Sequence, residues 1–268
     1  MTAFNHPRRF ELLTSRRDVF AGAAGLAAAS ALGGVTAASA SAGDELKAIP
    51  ELAPQWKKLD LAKILQKPAA FASVSQNNSL YQSWGAQAGE KHWERGSLAA
   101  TVKAAKAARK AANFKSFSWI GYAVFRENYP QSEFDKVQYE SWTQGLNFTE
   151  EKKKADNELV PELRALVQPG DLEFNELAFQ TAFVGTQLPL ELSRKRIEVL
   201  VLTGIHTDWC IEGNARAARD NGYLPIVIGD ATGTQKPEQL AGALERINNF
   251  FAPVISSETF VKLLGQAA

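Results

Sequence analysis

VLVLTGIHTDWCIEGNARAARDNGYLPIVIGDATGT, residues 199–234, carries the reading of the fold. An apolar run over 197–204 has the length and β-branched content of a buried strand, and LPIVIGD (224–230) reads as another. Between them Thr207 is an N-cap candidate and Asp208 opens a helix over 208–221, with Ile211, Ala215 and Ala218 at helical spacing. Strand, helix, strand is the unit of a parallel sheet covered by helices.

Outward from this unit the alternation continues. PAAFASVSQ (68–76), FSWIGYAVF (117–125), DLEFN (171–175) and APVIS (252–256) read as further strands. Helices are expected over 96–114, 188–195, 237–250 and 257–264, and an aromatic, charged excursion runs from Arg126 to about Val160. The pattern predicts an α/β fold: three layers, doubly wound, around a mainly parallel six-stranded sheet.

In such a sheet ligands bind beyond the carboxyl ends of the strands. Cys210, the one cysteine of the chain, falls there, in the first turn of the 208–221 helix. Unpaired backbone N–H groups and the positive end of the helix dipole favour a thiolate at that position, and the same N–H groups can hold a carbonyl oxygen as it becomes negative. Cysteine is also among the most buried residue types, so position alone leaves a nucleophile and a core side chain both open.

Composition narrows the function. With 30 Lys+Arg against 29 Asp+Glu there is no basic excess to bind nucleic acid. One Cys excludes an internal disulfide, and three His leave little material for zinc, so no metal and no cofactor are expected. Residues 1–42 combine Arg16-Arg17, an uncharged Ala/Gly-rich run and Ala-x-Ala sites at 38–42. That is the form of a cleavable export signal resembling the twin-arginine type, although Val19 and Phe20 depart from its usual Phe and Leu and leave the Sec route open; it implies export machinery as a partner and a periplasmic location in a bacterium. Residues 43–67 read as a linker and 68–268 as one domain.

The 199–234 stretch resembles the core signature of the isochorismatase-like cysteine hydrolases, the superfamily that includes nicotinamidases and N-carbamoylsarcosine amidase. The matching positions are Gly204, Thr207, Cys210, Ala215, Arg216, Ala218, Gly222, Tyr223, Asp230 and Ala231. TAFVGTQL (181–188) is similar to the family's Ala-Phe-x-Gly-Thr-x-Leu segment, and SVSQNN (73–78) to the end of its first strand, where Asp-x-Gln-Asn is usual. The resemblance implies that Cys210 attacks an amide or related carbonyl, that the N–H groups of Cys210 and His206 form the oxyanion hole, and that the Ile205–His206 bond is cis. It further implies a small-molecule substrate and a homo-oligomer. Gln76, Phe183 and Trp209 are the candidate substrate-binding residues.

Two helpers of the family's cysteine are missing. Its Asp falls on Val74 and its Lys on Leu177 or Glu176. The sequence therefore supports a C–N hydrolase with a rewired site, in which Glu176, His206 or a residue of the 126–160 excursion supplies the base. The alternatives are an inactive relative that binds a small ligand or protein partner in the cell envelope, and an oligomeric scaffold in which His206 and Cys210 are plain loop and core residues. A segment of the nicotinamidase metal-site type would need histidines near 126–134, where there are none.

Overall fold

A computed structural model describes residues 44–125, 132–177 and 180–265 of the chain, with Glu176 and Leu177 described by their backbone alone. The expected export signal lies outside these residues. Six strands, β1 (Ala69–Val74), β2 (Phe114–Tyr122), β3 (Leu172–Leu177), β4 (Val199–Ile205), β5 (Leu224–Gly233) and β6 (Val254–Ile255), pair in parallel in the order β3-β2-β1-β4-β5-β6. This is the expected doubly wound sheet.

Alternation of side chains along each strand sorts the core into two layers. Phe71, Val199, Val201, Ile226 and Ile228 face one side, against α1 (Ser97–Lys110) and the C-terminal helix Ser257–Gly265. Ala70, Ala72, Val74, Leu200, Leu202 and Val227 face the other, against the helices Leu188–Arg194, Glu212–Asp220 and Leu240–Phe250. With both faces covered, the central strands β1 and β4 are buried along their whole length, which is why they read as continuous apolar runs.

Two expectations are corrected, and the excursion gains structure. β2 begins at Phe114 rather than Phe117, because α1 stops at Lys110 and the amide of Asn113 donates to the carbonyls of Leu65 (2.7 Å) and Lys67 (2.8 Å), pinning the chain beside β1. Residues 44–67 are no free linker: Leu61 and Leu65 are buried in the first layer, and the Trp56 indole N–H donates to the Asn248 carbonyl. Among its described residues the excursion contains two helices, Glu133–Thr143 and Glu150–Asn157, the first closed by a Ser132–Asp135 capping box and the second capped by Thr149.

Candidate active site

At its carboxyl end β4 runs so close to β1 that a Cβ on Gly204 would stand 1.9 Å from the Val74 carbonyl oxygen, and Gly204 has φ +121°. Only glycine fits there. The next bond, Ile205–His206, is cis. The chain then enters a π-turn, Thr207–Ile211, which leads into α-helix Glu212–Asp220. His206, not Thr207, occupies the N-cap position, since the Thr207 hydroxyl donates instead to Thr232 Oγ1 at 2.9 Å. The His206 carbonyl accepts from the N–H groups of Trp209 (3.2 Å) and Ile211 (3.0 Å). The Asn214 amide holds the Cys210 carbonyl at 2.8 Å.

Cys210 is buried, 2% exposed, and packs in the same layer as Val74. The Ser75 hydroxyl donates toward its sulfur at 3.8 Å. A cavity of about 10 Å³ beside the sulfur is lined by Ser75, Leu80, Gln87, Tyr122, His206, Trp209 and Cys210. That is room for about one water. Gln87 also lines a larger cavity, about 350 Å³, with Gly89, Glu90, Trp142, Gln235 and Lys236.

Glu90 joins the two regions. It ends one 3-10 turn (Ala88–Glu90) and His92 opens the next (His92–Glu94), with Lys91 between them in the left-handed region at φ 53°. This reversal brings His92 back onto its neighbour's carboxylate. Glu90 Oε2 accepts from His92 Nε2 at 2.9 Å and from His206 Nε2 at 2.6 Å, while Oε1 accepts from the Gln235 amide at 3.3 Å. Arg95 secures the loop by donating to the carbonyls of Glu90 (2.6 Å) and Thr234 (2.5 Å).

The tautomers follow from this network. Arg95 only donates, and its Nη1 lies 3.4 Å from His92 Nδ1, so the His92 proton sits on Nε2. Glu90 Oε2 likewise calls for N–H on Nε2 of His206, leaving Nδ1 as the acceptor. Burial pushes the Glu90 carboxyl up, but the hydrogen bonds and charges of His206 and His92 outweigh it and hold the pKa at about 2. Burial lowers His92 to about 4, against the opposing pull of Glu90. The His206 ring stacks on Trp209 at 6.1 Å and 22°, and Trp209 in turn meets Trp142 edge-on at 5.5 Å.

The isochorismatase domain model matches residues 74–259. The chain belongs to the isochorismatase family. Among its relatives are the ureidoacrylate amidohydrolase RutB of Caulobacter segnis, 35% identical over 42% of this chain and 46% of that protein, and the uncharacterized isochorismatase family protein YwoC of Bacillus subtilis, 38% identical over 41% and 54%. The chain thus spans about half the length of the curated relatives it matches. Solved structures with the same fold include a cysteine hydrolase from Pseudomonas syringae pv. phaseolicola (TM-score 0.61, 16% identity, 75% of this chain and 94% of that one). N-carbamoylsarcosine amidase from Thermoplasma acidophilum is another (TM-score 0.52, 20%, covering 71% and 96%).

Within this isochorismatase-family chain the candidate residues fall as follows. Cys210, His206 and Trp209 line one cavity, and the cis bond stands where the resemblance put it. The side chain of Glu176 lies outside the described residues. Gln76 does not line that cavity; it is fully buried, accepting from the Ser73 hydroxyl (2.7 Å) and donating to the Tyr81 oxygen (3.2 Å). Phe183 packs on Tyr223 at 5.8 Å, also away from that cavity. Asp230 of the signature caps the C-terminal helix, accepting from the Ser257 N–H and hydroxyl, each at 2.6 Å.

Sequence reasoning missed Ser75, Glu90 and His92. The signal for the last two was a Glu-x-His in a chain with three histidines. The expectation of no metal also overlooked them: Glu90, His92 and His206 form a group of three potential ligand atoms within 4.8 Å of one another.

Proposed function

We propose that the protein hydrolyses a small amide or carbamoyl C–N bond through Cys210, with His206 as the base and Glu90 as the group that orients it. The observation that carries this reading is the 2.6 Å bond between Glu90 Oε2 and Nε2 of His206, a residue that lines the same cavity as Cys210. It replaces the missing Asp and Lys with a buried carboxylate–imidazole pair of the kind that fixes a tautomer and stabilises the imidazolium.

His206 Nδ1 takes the Cys210 thiol proton, and the thiolate adds to the carbonyl carbon. The N–H groups of Cys210 and His206 hold the oxyanion at the start of the helix. His206 then returns the proton to the leaving nitrogen as the C–N bond breaks, leaving a thioester. Water, deprotonated by His206, attacks the thioester carbonyl and regenerates the thiol. Because the cavity at the sulfur holds about one water, the substrate enters from the larger cavity by displacing Gln87, which lines both.

The likeness to an amidohydrolase supports the reaction class. Residues 16–42 support export of the chain to the periplasm. The inert-relative reading draws on Val74, which presents an apolar side chain beside Cys210. Acid quench of a reaction with a panel of small amides and ureido acids, followed by intact mass measurement, separates the two. A thioester on Cys210, absent in C210S, supports the hydrolase; no adduct and no turnover with a thiol that resists alkylation at every pH overturns it.

A further inference from the structure

We infer that Glu90, His92 and His206 form a binding site for one divalent transition-metal ion of the zinc class, beside the nucleophile and distinct from it. All three side chains are buried, at 9% exposure or less, and they offer two imidazole nitrogens and one carboxylate oxygen. That donor set suits zinc, cobalt or nickel better than magnesium or calcium.

The spacing fits. An ion about 2.1 Å from each donor keeps neighbouring donors about 3.0 Å apart at right angles and about 3.4 Å apart in a tetrahedron. The oxygen stands 2.9 and 2.6 Å from the two nitrogens, so replacing the shared N–H contacts by an ion requires the donors to part by about 0.1 and 0.4 Å at right angles, or about 0.5 and 0.8 Å in a tetrahedron. The second shell is present for the carboxylate, whose other oxygen is held by Gln235. Glu90 lines the 350 Å³ cavity, which gives the ion a way in. Arg95, against His92 Nδ1, is an adverse neighbour and moderates the affinity.

Ligation moves each histidine proton from Nε2 to Nδ1. On His206 the proton then occupies Nδ1, the nitrogen assigned above to take the thiol proton, and the base is blocked. This second consequence rests on the reading of His206 as base; the binding itself does not.

The test is titration of chelator-treated protein with Co²⁺, followed by its visible absorption, and with Zn²⁺ in competition. One equivalent is expected to bind, C210S is expected to bind equally, and E90Q and H92Q are each expected to bind more than about tenfold more weakly. Absence of saturable binding by the folded wild-type protein, or unchanged binding by both E90Q and H92Q, overturns the site. Zn²⁺ is further expected to slow alkylation of Cys210 in the wild type and not in H92Q. Stoichiometric binding with an unchanged alkylation rate upholds the site and sinks the base assignment instead.

Discussion

Glu90 Oε2 and His206 Nε2 stand 2.6 Å apart across 116 residues of sequence, and the pair is buried next to the nucleophile. A carboxylate there bonds the imidazole, and it acts by fixing which nitrogen carries the proton. The His206 side chain is therefore expected to matter through Nδ1 and Glu90 through the tautomer. H206Q should slow alkylation of Cys210 near neutral pH by about tenfold to a hundredfold or more. E90Q should slow it less, and should also move the pH profile, since a neutral amide no longer stabilises the imidazolium. Identical pH profiles for wild type and E90Q would remove Glu90 from the chemistry.

The same cluster sets an acid limit on stability. The ordinary His pKa of 6.5 is lowered to about 4 at His92 in the fold. Between those values the unfolded chain binds the proton that the folded chain refuses, so this contribution is complete above about pH 6.5 and is lost as pH falls toward 4. Glu90, lowered from 4.5 to about 2, adds a second loss between those values, in the same direction. Urea unfolding of chelator-treated protein is expected to show stability falling from pH 7 to pH 4.5, by up to about 3 kcal/mol from His92. H92Q should flatten that slope; an equally steep slope in H92Q would assign the acid loss to other groups.

How far the sequence was legible follows from which interactions are local. β1 and β4 are buried on both faces, so their composition announces them, and the helices between them repeat every three or four residues. Cys210 was legible because strand, glycine turn and helix are contiguous. Glu90 and His92 were not, because they reach His206 through a left-handed Lys91 and through Arg95 clamped to the Thr234 carbonyl, neither of which leaves a periodic trace. The helix start was misread for a related reason: the Thr207 hydroxyl, a good cap in isolation, is taken by Thr232 on the next strand.

Gly204 tests the close approach of β1 and β4. A methyl group at this position meets the Val74 carbonyl at 1.9 Å and its amide nitrogen at 2.7 Å, both backbone atoms in central strands that cannot give way separately. G204A is expected to cost more than about 3 kcal/mol, from the clash together with φ +121°. The measurement is the denaturant midpoint, or the soluble yield where folding fails. A midpoint within about 1 kcal/mol of wild type would show that the two strands can separate without harm.

Far from the active site, Asp171 ties β3 to α1 and β2. Its Oδ2 accepts from the indole N–H of the buried Trp119 at 2.8 Å, from the Gln168 N–H at 3.0 Å and from the Arg109 guanidinium, which lies 3.5 Å over the Phe117 ring. D171A removes the acceptor common to all three, strips the indole N–H of its partner and leaves a largely buried guanidinium with no counter-charge and only the Leu166 carbonyl at 3.3 Å, at an expected cost of about 3–5 kcal/mol. D171N keeps an acceptor for Trp119 and should lose less. R109M leaves a carboxylate still held by two N–H groups and keeps an apolar side chain over Phe117, so it too should lose less than D171A. In the double variant D171A/R109M the costs should fall short of their sum by about 1–3 kcal/mol, since the stranded guanidinium is gone. Denaturant unfolding of the four variants completes the cycle, and additive losses would show that the pair contributes no coupling to the sheet edge.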